Sequence, residues 1–171
     1  RQNRGGNHEM KRKVLLIEPN YKNKFPPIAL MKLSTYFKLR GDDVVFFKGD
    51  LKDFVIREIT EECIKKLNDI DSSINWKLKG HYIFEFIKNR RKTDLEAIGI
   101  DRSKYALLLY PWLEHYKRYF HTKEYQKHPK WDWGGVTTLF TFYWKITIDT
   151  ILFAKNLVKN PEHNLMIGGV L

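Results

Sequence analysis

Cysteine is nearly absent from this chain of 171 residues, in which Cys63 is the one thiol. A single cysteine excludes an internal disulfide and a multi-cysteine metal or cluster site within this chain, and it is typical of a reducing cytoplasm. The histidines also show no H-E-x-x-H or comparable metal-binding spacing. We therefore expect a cytoplasmic protein without a metal site in this chain.

Long hydrophobic runs are missing too. No apolar segment approaches the roughly 18–20 residues that would span a bilayer, so we expect no membrane partner. The start of the chain, RQNRGGNHEMKRK, is basic and is not followed by the apolar core of a signal peptide, and we treat residues 1–10 as a native arm or a vector-derived remnant. Hydrophobic residues still make up 43% of the chain, which is enough for one domain over residues 11–171.

Two common nucleotide-binding motifs are also lacking. Nothing resembling G-x-G-x-x-G follows the first predicted strand, and no Walker A sequence occurs in the chain. These absences disfavour an NAD-dependent or ATP-dependent enzyme.

Short apolar runs alternate with helical patterns along the chain. Lys13–Glu18 and Asp43–Lys48 predict two buried strands, and residues 27–40 between them place Leu30 and Phe37 on one helical face. Strand, helix and strand within about 35 residues predict a βαβ unit with parallel strands.

The next segments predict a helix followed by an irregular helical insertion over about residues 72–130. Asp53 is expected to cap the first helix, in which Cys63 lies on the apolar face. Residues 81–91 predict another helix with Tyr82, Ile83 and Phe86 on its inner face. The run YALLLY at residues 105–110 predicts a strand closed by Pro111.

The last third returns to the alternating pattern. Residues 136–142 predict a strand, Ile148 and Leu152 mark a helix that ends by Asn160, and residues 164–167 predict a final strand before Gly168-Gly169. We therefore predict a three-layer Rossmann-like or flavodoxin-like α/β fold, with an open, mainly parallel sheet and helices on both faces.

In such sheets, ligands bind beyond the carboxyl ends of the strands. That rule selects residues 18–27, residues 48–50, residues 141–144 and Gly168-Gly169. Backbone amides near Pro27 could hold an anion there, but we favour a stiff helix start as the explanation of Pro26-Pro27. A glycine pair at a strand end allows a sharp turn or the close approach of a ligand.

Positive charge is abundant, with 31 Lys and Arg against 20 Asp and Glu, a net charge of +11. Residues 116–133, YKRYFHTKEYQKHPKWDW, interleave aromatic and basic side chains, as nucleic-acid-binding surfaces do. The alternative is a helix that packs its tyrosines inward and leaves its charges in water. We favour that alternative, because no recognised nucleic-acid module accompanies the stretch.

Two segments carry a family resemblance. They are FPPIALMKLSTYFKLRGDDVVFF at residues 25–47 and WGGVTTLFTFYWKITIDTILFAKNLV at residues 133–158, followed by the strand that ends in Gly168-Gly169. In this order they resemble the N-terminal cobalamin-binding-like domain of radical SAM proteins. The resemblance covers roughly residues 13–50 and 132–171, about half of the chain.

The resemblance implies a candidate cobalamin site at the rim of the sheet, which is the edge formed by the carboxyl ends of its strands and the loops that follow them. It implies no catalytic residue within this chain. The residues it implies for cofactor binding are Asn20, Tyr21, Pro27, Thr141, Phe142, Tyr143, Gly168 and Gly169. The family binds a four-iron four-sulfur cluster and S-adenosylmethionine in a downstream barrel through a C-x-x-x-C-x-x-C loop, which this chain lacks. The resemblance therefore implies an N-terminal part of a larger enzyme, with that barrel as its partner.

The loop after the first strand departs from the cobalamin pattern. Domains that ligate cobalt carry D-x-H-x-x-G there, whereas this chain has Glu18-Pro19-Asn20-Tyr21, with no histidine. An equally acceptable reading is therefore a degenerate domain that kept the sheet and lost the cofactor. A purely structural interaction domain and the basic nucleic-acid-binding domain remain as further alternatives.

Overall fold

The computed structural model describes residues 10–22, 26–89, 93–97, 99–138 and 143–169. The chain forms two compact units, one of residues 1–49 and 129–171 and the other of residues 50–128. The predicted helical insertion falls in the second unit, apart from its last two residues.

The first unit is built on a four-stranded sheet. Its strands are β1 (Lys13–Glu18), β2 (Asp43–Lys48), β3 (Trp133–Thr138) and β4 (Leu165–Gly169). They lie in the order β2-β1-β3-β4, and every neighbouring pair is parallel. The predicted parallel sheet is thus confirmed.

Helices cover both faces of this sheet. The helices of the first unit are α1 (Ile28–Leu39), α6 (Trp144–Leu157) and the short α7 (Pro161–Asn164). On one face the ring of Phe37 in α1 lies 4.5 Å from the ring of Trp133. On the other face a Cβ added at Gly134 would lie 2.6 Å from Cγ2 of Val158, just after α6. Successive strand residues face opposite sides, so α1 and the α6 segment form the two outer layers of a three-layer, Rossmann-like α/β fold.

Strand burial follows position in the sheet. The central strand β1 has five buried residues in a row from Val14 to Glu18, as its apolar run predicts. The prediction that β2 is buried is wrong, since Val45 and Phe46 are 37% and 46% exposed. The strand lies at the edge of the sheet, where it has a neighbour on one side. An apolar run in an edge strand such as β2 therefore does not show that both of its faces are buried.

The ends of α1 match the sequence pattern. The carbonyl of Pro27 accepts the first helical hydrogen bond from the Met31 N–H at 3.0 Å. The helix ends at Leu39, and Gly41 follows with a φ of 85°, the left-handed conformation that glycine adopts most easily after a helix.

The second unit is helical. Its helices are α2 (Leu51–Ile70), α3 (Gly80–Asn89), α4 (Thr93–Ala97) and α5 (Ala106–His121), with 3₁₀ turns at Ile100–Arg102 and Glu124–Gln126. The predicted apolar face of α2 is buried, as Ile56, Ile59, Cys63 and Leu67 are each at most 3% exposed. The predicted cap is wrong, because Asp50, not Asp53, accepts the Lys52 N–H at 2.9 Å.

The predicted strand at residues 105–110 is wrong, since these residues lead into and form the first turn of α5, and Pro111 lies inside that helix. Leu109, Leu113 and Tyr116 are buried, while Leu107 is 92% exposed. That spacing of four and three residues is a helical stripe. The sequence YALLLY did not show this helical stripe, because a short apolar run does not distinguish a strand from a buried helix.

Two other predicted helices have the right place and a partly wrong inner face. In α3, Ile83 and Phe86 are buried as predicted, but Tyr82 is 41% exposed. In α6, Ile148 and Leu152 are 46% and 56% exposed. The buried residues of α6 are Thr147, Thr150, Ala154 and Leu157. Small residues and threonines can pack close to a sheet. A prediction of the inner face that considers large apolar residues alone therefore overlooks them.

Candidate functional site

The carboxyl ends of β1 and β3 mark the point where the chain changes direction in the sheet. These strands are neighbours, and the chain leaves β1 toward β2 at one edge and β3 toward β4 at the other. Such a switch point opens a crevice between the two outgoing loops, which is the usual ligand site of open parallel sheets.

Tyr21 fills this crevice. Its side chain is 2% exposed, and its ring lies 5.3 Å from the ring of Tyr143. The hydroxyl of Thr147 donates to the Tyr143 carbonyl at 3.0 Å, so it accepts from the hydroxyl of Tyr21. One residue predicted to bind a cofactor therefore joins the loop after β1 to the first turns of α6.

A partly buried ion pair lies at the same rim. Glu18 ends β1 and is 2% exposed, and its Oε1 lies 3.0 Å from Nζ of Lys48 at the end of β2. The two residues are register partners, which brings their side chains together. Both positions lie in rim segments predicted from the sequence, where they were not paired with each other. The pairing could have been predicted, because the two residues carry opposite charges and lie at the same end of two predicted parallel strands.

The remaining predicted rim residues have different surroundings. Asn20 is exposed beside the buried Tyr21, and Pro27 precedes α1 without a side-chain cap. Thr141 and Phe142 lie outside the described residues.

Gly168 and Gly169 belong to β4, so these two residues do not themselves form the sharp turn that was one of the two explanations for the pair. They pair with Thr137 and Thr138 of β3. A Cβ added at Gly169 would lie 1.8 Å from the Thr138 carbonyl oxygen, whereas one at Gly168 would meet nothing within 4 Å. What comes close to Gly169 is the neighbouring strand. Strand packing alone therefore accounts for this glycine.

The described residues of the rim do not fit a cobalamin whose nucleotide tail enters between β1 and β3. Tyr21 already occupies that space, and the loop after Glu18 carries no histidine that could ligate cobalt. The close approach at Gly169 is made by Thr138.

The aromatic-basic stretch divides into packed and cleft-lining residues. Tyr116 and Trp131 are buried, and burial raises the pKa of Tyr116 to about 12. The rings of Phe120 and Tyr125 stack at 6.1 Å and 15°, and both line a cleft of about 470 Å³. Its other lining residues include Lys52, Lys88, Asn89, His121 and Lys123.

Other chemistry is sparse in the part of the chain that the structure describes. No group of three or more His, Cys, Asp or Glu side chains is placed to hold a metal ion there. Burial, with a contribution from Glu62, raises the pKa of the Cys63 thiol to about 12, which keeps it protonated and unreactive. None of the described helices has the length and apolar character needed to cross a membrane.

Comparison with known proteins finds no family model, no curated protein and no solved structure that matches this chain. The fold, the rim contacts and the resemblance of the two segments are therefore the observations that bear on function.

Proposed function

We propose that this chain is the N-terminal Rossmann-like accessory domain of a radical SAM enzyme, whose catalytic barrel lies further along the same polypeptide. One observation carries the proposal. The described part of the first resembling segment, residues 26–47, belongs to one parallel βαβ unit in which α1 starts after Pro27 and stops before Gly41. The second resembling segment supplies β3 and α6 in the expected order.

Exposed apolar side chains on α6 and β4 support a docking role for this unit. The residues concerned are Trp144, Ile148, Leu152, Met166 and Ile167, between 46% and 65% exposed. Trp144, Ile148 and Leu152 follow one another at four-residue spacing on α6 and form one exposed apolar stripe, and exposed apolar patches mark interaction surfaces. The barrel of the same polypeptide is the partner that the proposal assigns to them.

The proposal places no catalytic step in this chain. The four-iron four-sulfur cluster and S-adenosylmethionine would supply the radical chemistry in the barrel. The contribution of this chain would be a rigid parallel sheet whose rim is closed by Tyr21 and by the Glu18–Lys48 pair.

Anaerobic purification of the intact gene product tests this assignment. We expect an iron–sulfur absorbance band and reductive cleavage of S-adenosylmethionine, with the 171-residue chain as a control that shows neither. An intact product without iron would contradict the assignment.

We further propose that the domain has kept the sheet without inserting cobalamin, because Tyr21 occupies the crevice. Titration with hydroxocobalamin should leave its absorbance spectrum unchanged at tens of micromolar, while a histidine-bearing cobalamin domain, as positive control, shifts it. A spectral shift with co-elution would refute the cofactor-free version. It would leave the accessory-domain assignment standing.

A second candidate function is binding of single-stranded nucleic acid. The stacked pair Phe120 and Tyr125, with Lys52 and Lys123 at the same cleft, favours it, because bases stack on aromatic rings while lysines meet phosphates. Fluorescence anisotropy with a labelled oligonucleotide tests it. Binding should weaken with salt and with Lys123→Gln, and it should persist with Lys66→Gln, which removes an exposed charge outside the cleft.

A further inference from the structure

A second cleft lies in the helical unit, between α2 and the start of α3. Its volume is about 350 Å³, and it is lined by Arg57, Thr60, Glu61, Gly80, His81 and Phe84. None of these residues belongs to the rim of the sheet or to the cleft at Phe120 and Tyr125.

Thr60 makes this cleft unusual. The residue is 6% exposed, and its hydroxyl has no hydrogen-bond partner among the described residues. Other threonine hydroxyls in or at the end of helices donate to the carbonyl four residues earlier, at Thr35, Thr122, Thr147 and Thr150. Buried hydroxyls are nearly always satisfied. The hydroxyl of Thr60 is therefore a donor without its usual local acceptor, on a residue that lines a cleft.

The charges around Thr60 favour an anion. The ten-residue helix α3 begins at Gly80, and its first turn, residues 80–83, contains no acidic side chain. The N-terminus of a helix carries partial positive charge, and its N–H groups bind phosphate. At α3 the N–H groups of Gly80 and Ile83 already donate to the carbonyls of Lys77 and Lys79, so the backbone part of the site is left to the N–H groups of residues 81 and 82. Arg57 and His81 add side-chain donors on opposite walls of the cleft, one from each helix.

Glu61 is the acidic residue of the lining and opposes this charge. It lies four positions after Arg57 on α2, so the two side chains are neighbours on one helical face. A ligand must therefore carry enough negative charge and enough acceptor oxygens to outweigh one carboxylate. A phosphate group meets both conditions.

We propose that this cleft binds the phosphate group of a small phosphorylated ligand, with Thr60 and Arg57 as its side-chain donors and the start of α3 as its backbone cradle. Phe84 in the same lining offers an apolar wall to the rest of such a ligand. The proposal is independent of the accessory-domain assignment, since it uses residues of the helical unit alone.

Isothermal titration of the whole chain with inorganic phosphate tests the site through Thr60→Val. This variant keeps the side-chain shape and removes the hydroxyl. It should weaken phosphate binding by about tenfold or more, the size expected for losing a hydrogen bond to a charged group. It should fold at least as stably as the parent, because it removes a buried hydroxyl that has no partner. Weakened binding would then not reflect unfolding.

Charge variants complete the design. Arg57→Gln should also weaken phosphate binding, and Glu61→Gln should strengthen it. Lys66→Gln removes an exposed charge from the same helix outside the cleft, and it should leave the affinity unchanged. The proposal is overturned if the parent chain shows no phosphate binding at millimolar concentrations, or if Thr60→Val binds phosphate as tightly as the parent.

Discussion

Replacing Gly169 by alanine tests why a glycine pair ends the described chain. The new Cβ would lie 1.8 Å from the carbonyl oxygen of Thr138 and 2.5 Å from its Oγ1. Carbon and oxygen atoms cannot approach so closely, so β4 must move away from β3 at this end. The register pairs Thr137–Gly168 and Thr138–Gly169 would then weaken or separate.

The expected cost follows from overpacking. Overpacking a core costs about 1–3 kcal/mol, but Gly169 is exposed at the end of an edge strand that can shift, so we expect a cost at the low end, about 1 kcal/mol. In a chain of this size each kcal/mol corresponds to roughly 2–4 °C of melting temperature, so Gly169→Ala should lower the melting temperature by about 2–4 °C. Differential scanning calorimetry measures this directly, and amide exchange at β4 should locate the loss.

Gly168→Ala is the matched control. A Cβ at Gly168 meets nothing within 4 Å, and this glycine is not among the positive-φ residues of the described chain. Its replacement should leave stability unchanged or raise it by about 0.4–1 kcal/mol, through the reduced entropy of the unfolded chain. Equal melting temperatures for the two variants would refute the explanation that strand packing requires Gly169.

Three further predictions concern the rim, the acid stability and the thiol. Tyr21→Phe should lower the free energy of unfolding in urea by about 1 kcal/mol, since Thr147 loses the bond it accepts, and an unchanged value would contradict that contact. The hydrogen bond from Arg12 holds the pKa of Asp42 below its usual 3.8, so its contribution to stability is complete above that pH and is lost as the pH falls through the lower folded value. Urea midpoints between pH 6 and pH 2 should therefore fall less steeply for Asp42→Asn than for the parent, and parallel curves would contradict the pairing. Cys63, whose pKa burial raises to about 12, should react with Ellman's reagent at pH 8 only after denaturation, and rapid reaction of the folded chain would contradict its burial.

The sheet was predictable because its signals are local. The run KVLLIE at Lys13–Glu18 is apolar on both faces, as a central parallel strand requires, and Gly41 marks the end of α1. Residues 105–110 show where this logic fails. Their inner face depends on Leu113 and Tyr116 one and two turns later, so the helix is visible only when the pattern is extended past Pro111.

The position of the rim was predictable from the sequence, but the contacts between its side chains were not. Chain order located the carboxyl ends of β1 and β3, but the partner of Tyr21 is Thr147, 126 positions away. The pairing of Glu18 with Lys48 depends on the strand register. Contacts of this kind come from tertiary packing. A single sequence therefore indicates which residues reach the rim without showing whether they bind a ligand or each other.

The reading frame beyond the codon for Leu171 tests the proposed identity most directly. Sequencing the gene from its source should show a frame that continues into a segment carrying C-x-x-x-C-x-x-C, the three thiolates that hold the four-iron four-sulfur cluster of a radical SAM barrel. A stop codon immediately after Leu171, or a continuing frame without that motif, would contradict the assignment of this chain as an accessory domain of such an enzyme.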